Sequence, residues 1–134
     1  MKKSGILQHE LCEVIATLGG GDLLVIADAG LPVPPGVRRI DLALTAGIPS
    51  FIDTLTAVLA EVHVEQVVLA SQMRQRNPGL AARLDDLLHG VPSHPIPFDD
   101  FKRMTAQARA VVRTGDLSPY ADIILRSGVV YGQS

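Results

Sequence analysis

The feature that most constrains the fold is the apolar run from Leu23 to Ala27, which ends abruptly at a carboxylate, Asp28. Three glycines at positions 19–21 precede the run, and a proline-rich loop as far as Pro35 follows it. An unbroken apolar run bounded by turn residues is typical of a strand buried on both faces. Because such a strand cannot hold a charge in its middle, Asp28 is predicted at its carboxyl end, where α/β folds bind ligands.

Size and composition predict a single domain over residues 1–134. The chain is 47% hydrophobic and 19% charged, as expected for a compact protein with its own core. A net charge of -2 gives no indication of a nucleic-acid or membrane partner. One cysteine, Cys12, excludes an internal disulfide, and the first residues lack the apolar core of a signal peptide. A cytoplasmic protein is expected.

The apolar pattern predicts an α/β domain with intermixed helices and strands. Apolar residues recur every three or four positions in 7–18, 49–62 and 80–88, which predicts helices, and 98–105 has the charge order of a short helix. Strands are predicted over 23–27, 38–44, 66–70, 109–113, 121–125 and 128–131, and a loop or short edge strand over 91–97. We expect a layered α/β/α-type single domain with a central, mostly parallel sheet.

Several common chemistries are not supported by the sequence. The glycines at 19–21 follow a helix and precede a strand, whereas a phosphate-binding loop follows a strand and precedes a helix. Cys12 and the four histidines show no metal-ligand spacing, so no metal site is expected. Only His94, between Ser93 and Pro95, remains a possible site residue. No nucleophile elbow is present.

The best constellation combines Asp28 with the segment Ser118-Pro-Tyr120-Ala-Asp122, at a predicted loop-to-strand junction. Two carboxylates and a phenol offer several acceptors and an amphipathic wall, which suits a polyol ligand. In the alternative interpretation, Asp28 caps its own loop, Tyr120 packs, and Asp122 pairs with an arginine. Spacing alone does not separate these interpretations.

Together, these segments resemble the D-ribose pyranase family, with the fucose mutarotases as more distant relatives. The resemblance spans nearly the whole chain, and Asp-Ala-Gly-Leu-Pro and Ser-Pro-Tyr-Ala are its most specific parts. It rests on Ile26-Ala-Asp-Ala-Gly-Leu-Pro-Val-Pro34, Arg39-Ile-Asp-Leu-Ala-Leu44, Gly47-Ile-Pro-Ser-Phe51, Phe101-Lys102, Ala110-Val-Val-Arg-Thr-Gly115, Ser118-Pro-Tyr-Ala-Asp-Ile-Ile-Leu125 and Gly128-Val.

The resemblance implies an isomerase of ribose metabolism that interconverts pyranose and furanose forms. It also implies a ring-shaped homodecamer of two stacked pentamers, with sites at subunit contacts. Opening and reclosing the hemiacetal needs an acid at the ring oxygen and a base at the anomeric hydroxyl, and it needs no cofactor.

The family's sugar-binding residues carry over incompletely. Asp28 matches the family's aspartate, and Tyr120 and Ala121 match its tyrosine segment. Asp122 stands where the family has asparagine, so an ionised side chain there would accept but not donate hydrogen bonds. Phe98 stands where the pyranases have a histidine that contacts the substrate.

The resemblance implies that Gly20 stands where the family has its catalytic histidine, and glycine cannot transfer a proton. Three explanations remain open: an altered residue, natural divergence toward weak or absent turnover, or an acid that has moved. Asp22, Asp122 and His94 are the candidate replacements, and burial beside Asp28 would raise the pKa of Asp122.

The sequence thus predicts a pyranase-like protein with impaired or altered catalysis on a small monosaccharide. Two alternatives remain: a non-catalytic sugar-binding or assembly subunit, and a mutarotase for another sugar such as fucose.

Overall fold

The computed structural model describes residues 1–130, which form one six-stranded sheet with helices on both faces. The helices are α1 (His9–Thr17), α2 (Phe51–Leu59), α3 (Met73–Arg76), α4 (Pro78–Leu87) and α5 (Phe98–Met104), and a short 3-10 turn covers Thr105–Gln107. The strands are β1 (Leu23–Ala27), β2 (Arg38–Asp41), β3 (Val64–Ala70), β4 (Ser93–Ile96), β5 (Ala110–Arg113) and β6 (Ile123–Ser127).

The sheet is mostly parallel, with one reversed strand at its centre. Its order is β2-β5-β1-β6-β3-β4. Strand β5 runs parallel to β1 and β2, and β3 runs parallel to β4. Strand β6 is antiparallel to both of its neighbours, β1 and β3. The start of β6 therefore lies at the same edge of the sheet as the carboxyl ends of the other five strands.

The core has two layers of unequal thickness, one on each face of the sheet. Leu24 and Ile26 of β1 point into the larger layer, which α1, α2 and α4 cover. Val25, one residue out of phase, points into the smaller layer, where Phe101 of α5 and Leu31 of the proline-rich loop pack. All five residues of β1 are buried. The predicted α/β/α arrangement with a mostly parallel sheet is thus observed.

Some predicted strands end earlier or begin later than expected. Strand β2 stops at Asp41, and Leu44, predicted as a strand residue, is 80% exposed, because 42–49 turn back on themselves instead. Strand β6 begins at Ile123 rather than at 121. No strand forms over 128–130, and Tyr131, the last residue of that predicted strand, lies outside the described residues.

The helices differ from expectation mainly at their ends. Helix α1 begins at His9, where the side chain of Gln8 caps Leu11 N, so Leu7 stays outside the helix and exposed. Ser50 rather than Pro49 precedes the first turn of α2 and accepts from Asp53 N. Helix α3 was not predicted, because four residues are too few to show a period. Within residues 1–130, no helix combines the length and the apolar character needed to cross a bilayer.

Residues 114–118 join three segments that surround the end of β1. Gly115 N–H donates to Pro49 O (2.8 Å), and Gly47 N–H donates to Gly115 O (2.6 Å). Asp116 O accepts from Ala29 N (2.9 Å), and its Oδ2 accepts from Phe51 N (3.1 Å), the first amide of α2. Because these bonds leave no space, a Cβ on Gly115 would lie 2.6 Å from Ile48 N and Thr45 O.

We expect Gly115→Ala to destabilise the protein by about 1–3 kcal/mol, because the methyl group would overlap backbone atoms that cannot move independently. Gly79→Ala is the matched control: a Cβ there meets nothing within 4 Å and lies in helix α4. We expect that change to be neutral or to stabilise by up to about 1 kcal/mol. Urea unfolding measures both, and equal stability of the two variants would show that the close approach at Gly115 carries no cost.

Candidate functional site

Four residues singled out from the sequence gather at one edge of the sheet. Asp28 follows β1, Tyr120 and Asp122 precede β6, and Phe98 begins α5 just after β4. Because β6 runs against its neighbours, its first residues meet the carboxyl ends of β1 and β3. Ala121 lies between Tyr120 and Asp122 and is fully buried.

The centre of this cluster is a contact between two aspartates. The backbone N–H of Asp28 donates to Asp122 Oδ1 over 2.8 Å. The side chain of Asp28 turns the other way to accept from Gly30 N–H (2.7 Å) and keeps part of its surface exposed. Asp122, by contrast, is 0% exposed, and its Oδ2 has no hydrogen-bond partner among the described residues. Asp28 therefore forms the accessible member of the pair and Asp122 the buried one.

Burial and the neighbouring acid keep a proton on Asp122. Burial makes the largest contribution to raising the pKa of Asp122 to about 8, and the neighbouring acid Asp28 raises it further through its negative charge. The hydrogen bond from the Asp28 amide acts in the other direction, but it offsets only part of this increase in pKa. At neutral pH Asp122 is consequently a neutral carboxylic acid, which both donates and accepts a hydrogen bond, as an asparagine does.

Phe98 and Tyr120 form an aromatic wall beside the two aspartates. Their ring centroids lie 5.2 Å apart at an interplanar angle of 89°, so the edge of one ring meets the face of the other. Phe101 stacks on Phe98 at 6.0 Å, and Lys102 Nζ lies 5.1 Å from the Phe98 ring centroid. Phe98 is fixed at the start of α5 because its N–H donates to Gln72 Oε1 (3.2 Å).

The backbone of Tyr120 adopts a conformation that is unfavourable for most residues. Its φ of +58° lies in the left-handed region, the only such value outside glycine within residues 1–130. Asn77 Nδ2 donates to Pro119 O (2.8 Å), and Tyr120 O accepts from Asp122 N (2.8 Å). This geometry turns the chain sharply, so that Tyr120 reaches Phe98 while Asp122 points toward Asp28. Strain of this kind is common at ligand sites.

The guanidinium of Arg113 lies on the β5 side of Asp28, opposite β6. Arg113, at the end of β5, makes a bidentate ion pair with Asp41 (2.7 and 3.1 Å) and donates to Leu31 O (3.5 Å). The bond to Asp41 makes the largest contribution to raising the pKa of Arg113, and the charge of Asp28 adds to it. Arg113 thus ties β2 and the proline-rich loop to the edge where Asp28 lies.

Gly20 and Asp22 lie at the opposite edge of the sheet, before β1. Asp22 and Asp28 are six positions apart along extended chain, a span of about 20 Å. Asp22 Oδ2 accepts from Gly19 N–H (2.8 Å) and Arg109 Nε (3.2 Å). The Gly19 bond is the main cause of a lowered pKa at Asp22, so this carboxyl is ionised and holds no proton to give. Within this chain, neither Gly20 nor Asp22 reaches Asp28.

The space that a side chain at position 20 would need is occupied. A Cβ built on Gly20 would overlap Cγ2 of Val129, a partly exposed residue after β6. Gly21, rather than Gly19, takes the positive φ (+87°) that turns the chain from α1 into β1. Val129 can therefore pack against position 20 only because this residue is a glycine.

His94 is also remote from Asp28 in this chain. It lies exposed on β4, the edge strand, and its Nε2 is 3.0 Å from Gln66 Oε1. Two strands, β6 and β3, lie between β1 and β4, so about 14 Å separates β1 from β4 across the sheet. Of the three candidate acids, only Asp122 contacts Asp28.

Both interpretations of the constellation describe part of the structure. Asp28 does cap its own loop through Gly30 N–H, and Tyr120 does pack, against Phe98. Asp122 makes no ion pair with an arginine in the described part of the chain. Nor do residues 1–130 contain a group of three or more His, Cys, Asp or Glu side chains able to hold a metal ion.

Four residues near the site carried no role in the sequence interpretation: Gln72, Asn77, Lys102 and Arg113. Gln72 and Asn77 act through contacts with distant segments, so no local pattern signals them. Two signals were available for the others. Lys102 lies four residues after Phe98, on the same face of α5, and Arg113 ends a strand that is parallel to β1.

Asp122→Asn should stabilise the protein by an amount that grows as pH rises from about 4 to 8 and is constant above that. The folded state keeps a proton on Asp122 up to about pH 8, whereas the unfolded chain loses it near pH 4, so wild-type stability falls across this interval. The amide has no proton to lose. Melting temperatures of the two proteins between pH 4 and 9 measure the effect, and parallel curves would contradict a neutral Asp122.

The chain is similar to known proteins over nearly its full length. The model of the RbsD / FucU transport protein family matches residues 1–130. A protein of Laribacter hongkongensis named D-ribose pyranase is 52% identical over 98% of this chain and 100% of its own length. A D-ribose pyranase of Geobacillus kaustophilus is 50% identical over 98% of this chain and 96% of its own length.

Solved structures agree with the fold. Bacillus subtilis RbsD complexed with D-ribose matches with a TM-score of 0.95 and 44% identity, over 98% of this chain and 100% of the other. The fucose mutarotase of Streptococcus pneumoniae in complex with L-fucose matches with a TM-score of 0.74 and 25% identity, over 93% and 95%. On the family match and the relatives' identity, this chain belongs to the RbsD / FucU transport protein family.

Proposed function

We propose that this chain is a D-ribose pyranase, with catalysis altered by the glycine at position 20. The observation that carries the proposal is the convergence of Asp28, Tyr120 and Asp122 at one edge of the sheet. Relatives about 50% identical over nearly their full length are named D-ribose pyranase, and the similar RbsD structure holds D-ribose. The whole chain, residues 1–134, acts as a single domain in this proposal.

In the proposed site, each group has a chemical role toward the sugar. The carboxylate of Asp28 accepts the proton of the anomeric hydroxyl as the ring opens. Asp122, neutral at pH 7, supports Asp28 from behind through the bond to its amide. Phe98 and Tyr120 provide a wall against which the C–H face of the sugar packs, while the Tyr120 hydroxyl is available to a sugar hydroxyl. Ala121 adds backbone groups between them. Neither a metal nor a cofactor takes part.

The proposal places the protein in the cytoplasm as a ring-shaped homodecamer. In this ring, the Asp28 edge of one subunit meets the Gly20 edge of its neighbour. Leu44, Ile48 and Leu117, all more than half exposed, belong to loops at the Asp28 edge. Val129 and Val130 are exposed near Gly20, at the other edge. Burying both apolar groups in one head-to-tail contact would favour a closed ring. Position 20 would then face the Asp28 of a neighbour, with no side chain to supply a proton.

A second candidate is favoured by Phe98. An aromatic ring at this place offers no hydrogen bond, so a sugar hydroxyl facing it would lose its partner. A sugar with an apolar group there, such as a 6-deoxy sugar, would lose nothing. The chain would then be a mutarotase for a fucose-like sugar. A third candidate is a non-catalytic sugar-binding or assembly subunit. In that case the site would still bind a sugar, and the glycine at position 20 would explain why the sugar is not turned over.

We expect the protein to bind D-ribose and to exchange its pyranose and furanose forms faster than buffer does. The rate should be at least about 10²-fold lower than that of a relative such as the Laribacter hongkongensis protein. A factor of about 10² is the smallest usual effect of removing an acid–base group. Saturation-transfer NMR on ribose measures the exchange, and a parallel titration with L-fucose compares the second candidate. Exchange as fast as in the relative would contradict altered catalysis.

Two variants serve as controls for this measurement. Asp28→Asn keeps the oxygen that accepts from Gly30 N–H but removes the base, so exchange should fall to the buffer rate. Asp86→Asn changes an exposed acid on helix α4 and should leave exchange unchanged. Binding of ribose without any exchange would support the sugar-binding subunit, and stronger binding of fucose would support the second candidate. Failure to bind either sugar would contradict the pyranase, the mutarotase and the sugar-binding subunit.

Gly20→His tests the altered position directly. We expect the histidine to increase ribose exchange by about 10²–10⁴-fold, the usual contribution of a positioned acid–base group. Because a side chain there overlaps Val129, the double variant Gly20→His/Val129→Ala should show the larger gain. Ribose exchange by NMR is the measurement.

Gly20→Phe/Val129→Ala is the matched control, since it adds a ring of similar size without an ionisable group. The histidine gain must be absent from this variant. Should the histidine variants assemble as the wild type does and yet exchange ribose no faster, position 20 does not limit the reaction.

A further inference from the structure

Asp122 occupies a position where an ionised carboxylate would be poorly stabilised. It is fully buried, Oδ2 has no partner among the described residues, and no arginine, lysine or histidine in residues 1–130 forms an ion pair with it. Its nearest charged neighbour is another acid, Asp28. A buried charge without a counter-ion is costly, so the neutral acid is the favourable form here.

The neutral acid fits its surroundings in detail. Asp122 Oδ1 accepts from the Asp28 amide over 2.8 Å, which leaves Oδ2 to carry the proton. The negative charge of the Asp28 side chain also favours the protonated form of the Asp122 carboxyl. Asp28 is partly exposed, and Asp122 is not. The buried acid of the pair thus carries a proton, and the accessible one, which can touch a ligand, is linked to it through its backbone amide.

We propose that Asp122 is the proton reserve of the site, a positioning residue that supplies its proton to the sugar through Asp28. This inference rests on the proposed function, because it explains how a pyranase with glycine at position 20 obtains an acid. It assigns the proton donor to the same subunit as the base. The role does not depend on a neighbouring copy of the chain.

The proposed step conserves one proton on the pair. As Asp122 passes its proton to Asp28, Asp28 protonates the ring oxygen, and the bond between C1 and that oxygen breaks with its electron pair going to the oxygen. The anomeric hydroxyl becomes the carbonyl of the open-chain sugar and returns its proton to the carboxyl pair. Reclosure through another hydroxyl reverses these transfers. No oxidant, reductant or third reactant is required.

Burial and two neighbouring acids set the pH at which Asp122 loses its proton. Asp28 and Asp116 raise the pKa of Asp122 by their negative charges, in addition to the larger effect of burial. Arg113 faces Asp28 from β5, and Tyr120 adds a phenol two residues before Asp122. With a pKa of about 8, the proton is present at neutral pH and is lost as pH rises through this value.

The experiment follows the proton of Asp122 first without sugar and then with it. In the free protein, the amide proton of Asp28 should shift with a midpoint near pH 8, because it donates to Asp122, and the shift should be absent in Asp122→Asn. Ribose exchange, corrected for the buffer rate at each pH, should fall at least 10-fold between pH 7 and 9 in the wild type.

Asp122→Asn should still bind ribose, since the amide keeps a donor and an acceptor, but its exchange should be at least 10-fold slower at pH 7 and should not change near pH 8. Gly20→His/Val129→Ala/Asp122→Asn should regain exchange, because the histidine replaces the reserve. Ribose binding by the wild type reports on the proposed function separately.

Three outcomes overturn the inference. One is an Asp28 amide shift that does not titrate between pH 6 and 9, whatever the sugar does. The second is wild-type exchange that Asp122→Asn leaves unchanged in rate and pH profile, in which case the proposed function still stands. The third is a wild type that binds ribose but never exchanges it. A wild type that does not bind ribose contradicts the proposed function as well.

Discussion

The hydrogen bond from the Asp28 amide to Asp122 joins the end of one strand to the beginning of an antiparallel neighbour, and the site depends on it. Asp28 leaves β1 for a proline-rich loop, and this bond fixes its backbone to β6, on the side opposite β5. Asp122 can serve as the anchor because Ala121 and the first residues of β6 are buried around it. The same burial removes water from the carboxyl and makes the neutral form the favourable one.

Asp116, six positions before Asp122 in the chain, differs from it in charge although both are acids of the same region. Hydrogen bonds from Ser118 and from the Phe51 amide lower the pKa of Asp116, although its burial acts strongly in the other direction. Asp116 is thus ionised while Asp122 is neutral, at a short distance in sequence. The difference lies in the donors: Asp116 receives three, and Asp122 receives only the amide of Asp28. Environment, rather than residue type, sets the charge of each acid.

The sequence predicted the parts of the fold that depend on local pattern. β1 was located correctly because its residues are apolar without interruption, and Asp28 at its end followed from the cost of a buried charge. The extension of β2 to Leu44 was wrong, because alternation continues into a turn where tertiary contacts decide the path. Helix α3 is shorter than the window in which a period can be recognised.

The site itself could be predicted only in part. Residue types and predicted strand ends already grouped Asp28 with Tyr120 and Asp122, and the resemblance supported this group. The bond between the two aspartates joins residues 94 positions apart and leaves no local signal. Whether Asp122 is charged depends on burial and on Asp28, neither of which composition gives. The left-handed backbone of Tyr120 is likewise imposed by its surroundings, since tyrosine has no intrinsic preference for it.

The reversed strand has a consequence for the order in which the molecule can form. β6 is the last strand along the described chain, yet it lies between β1 and β3 at the centre of the sheet. Before it inserts, the chain can build only two separate parallel ribbons, β2-β5-β1 and β3-β4, each with an uncovered edge. Insertion closes both edges at once and carries Asp122 to Asp28 in the same event. Completion of the sheet and assembly of the site therefore depend on the same non-local strand pairing.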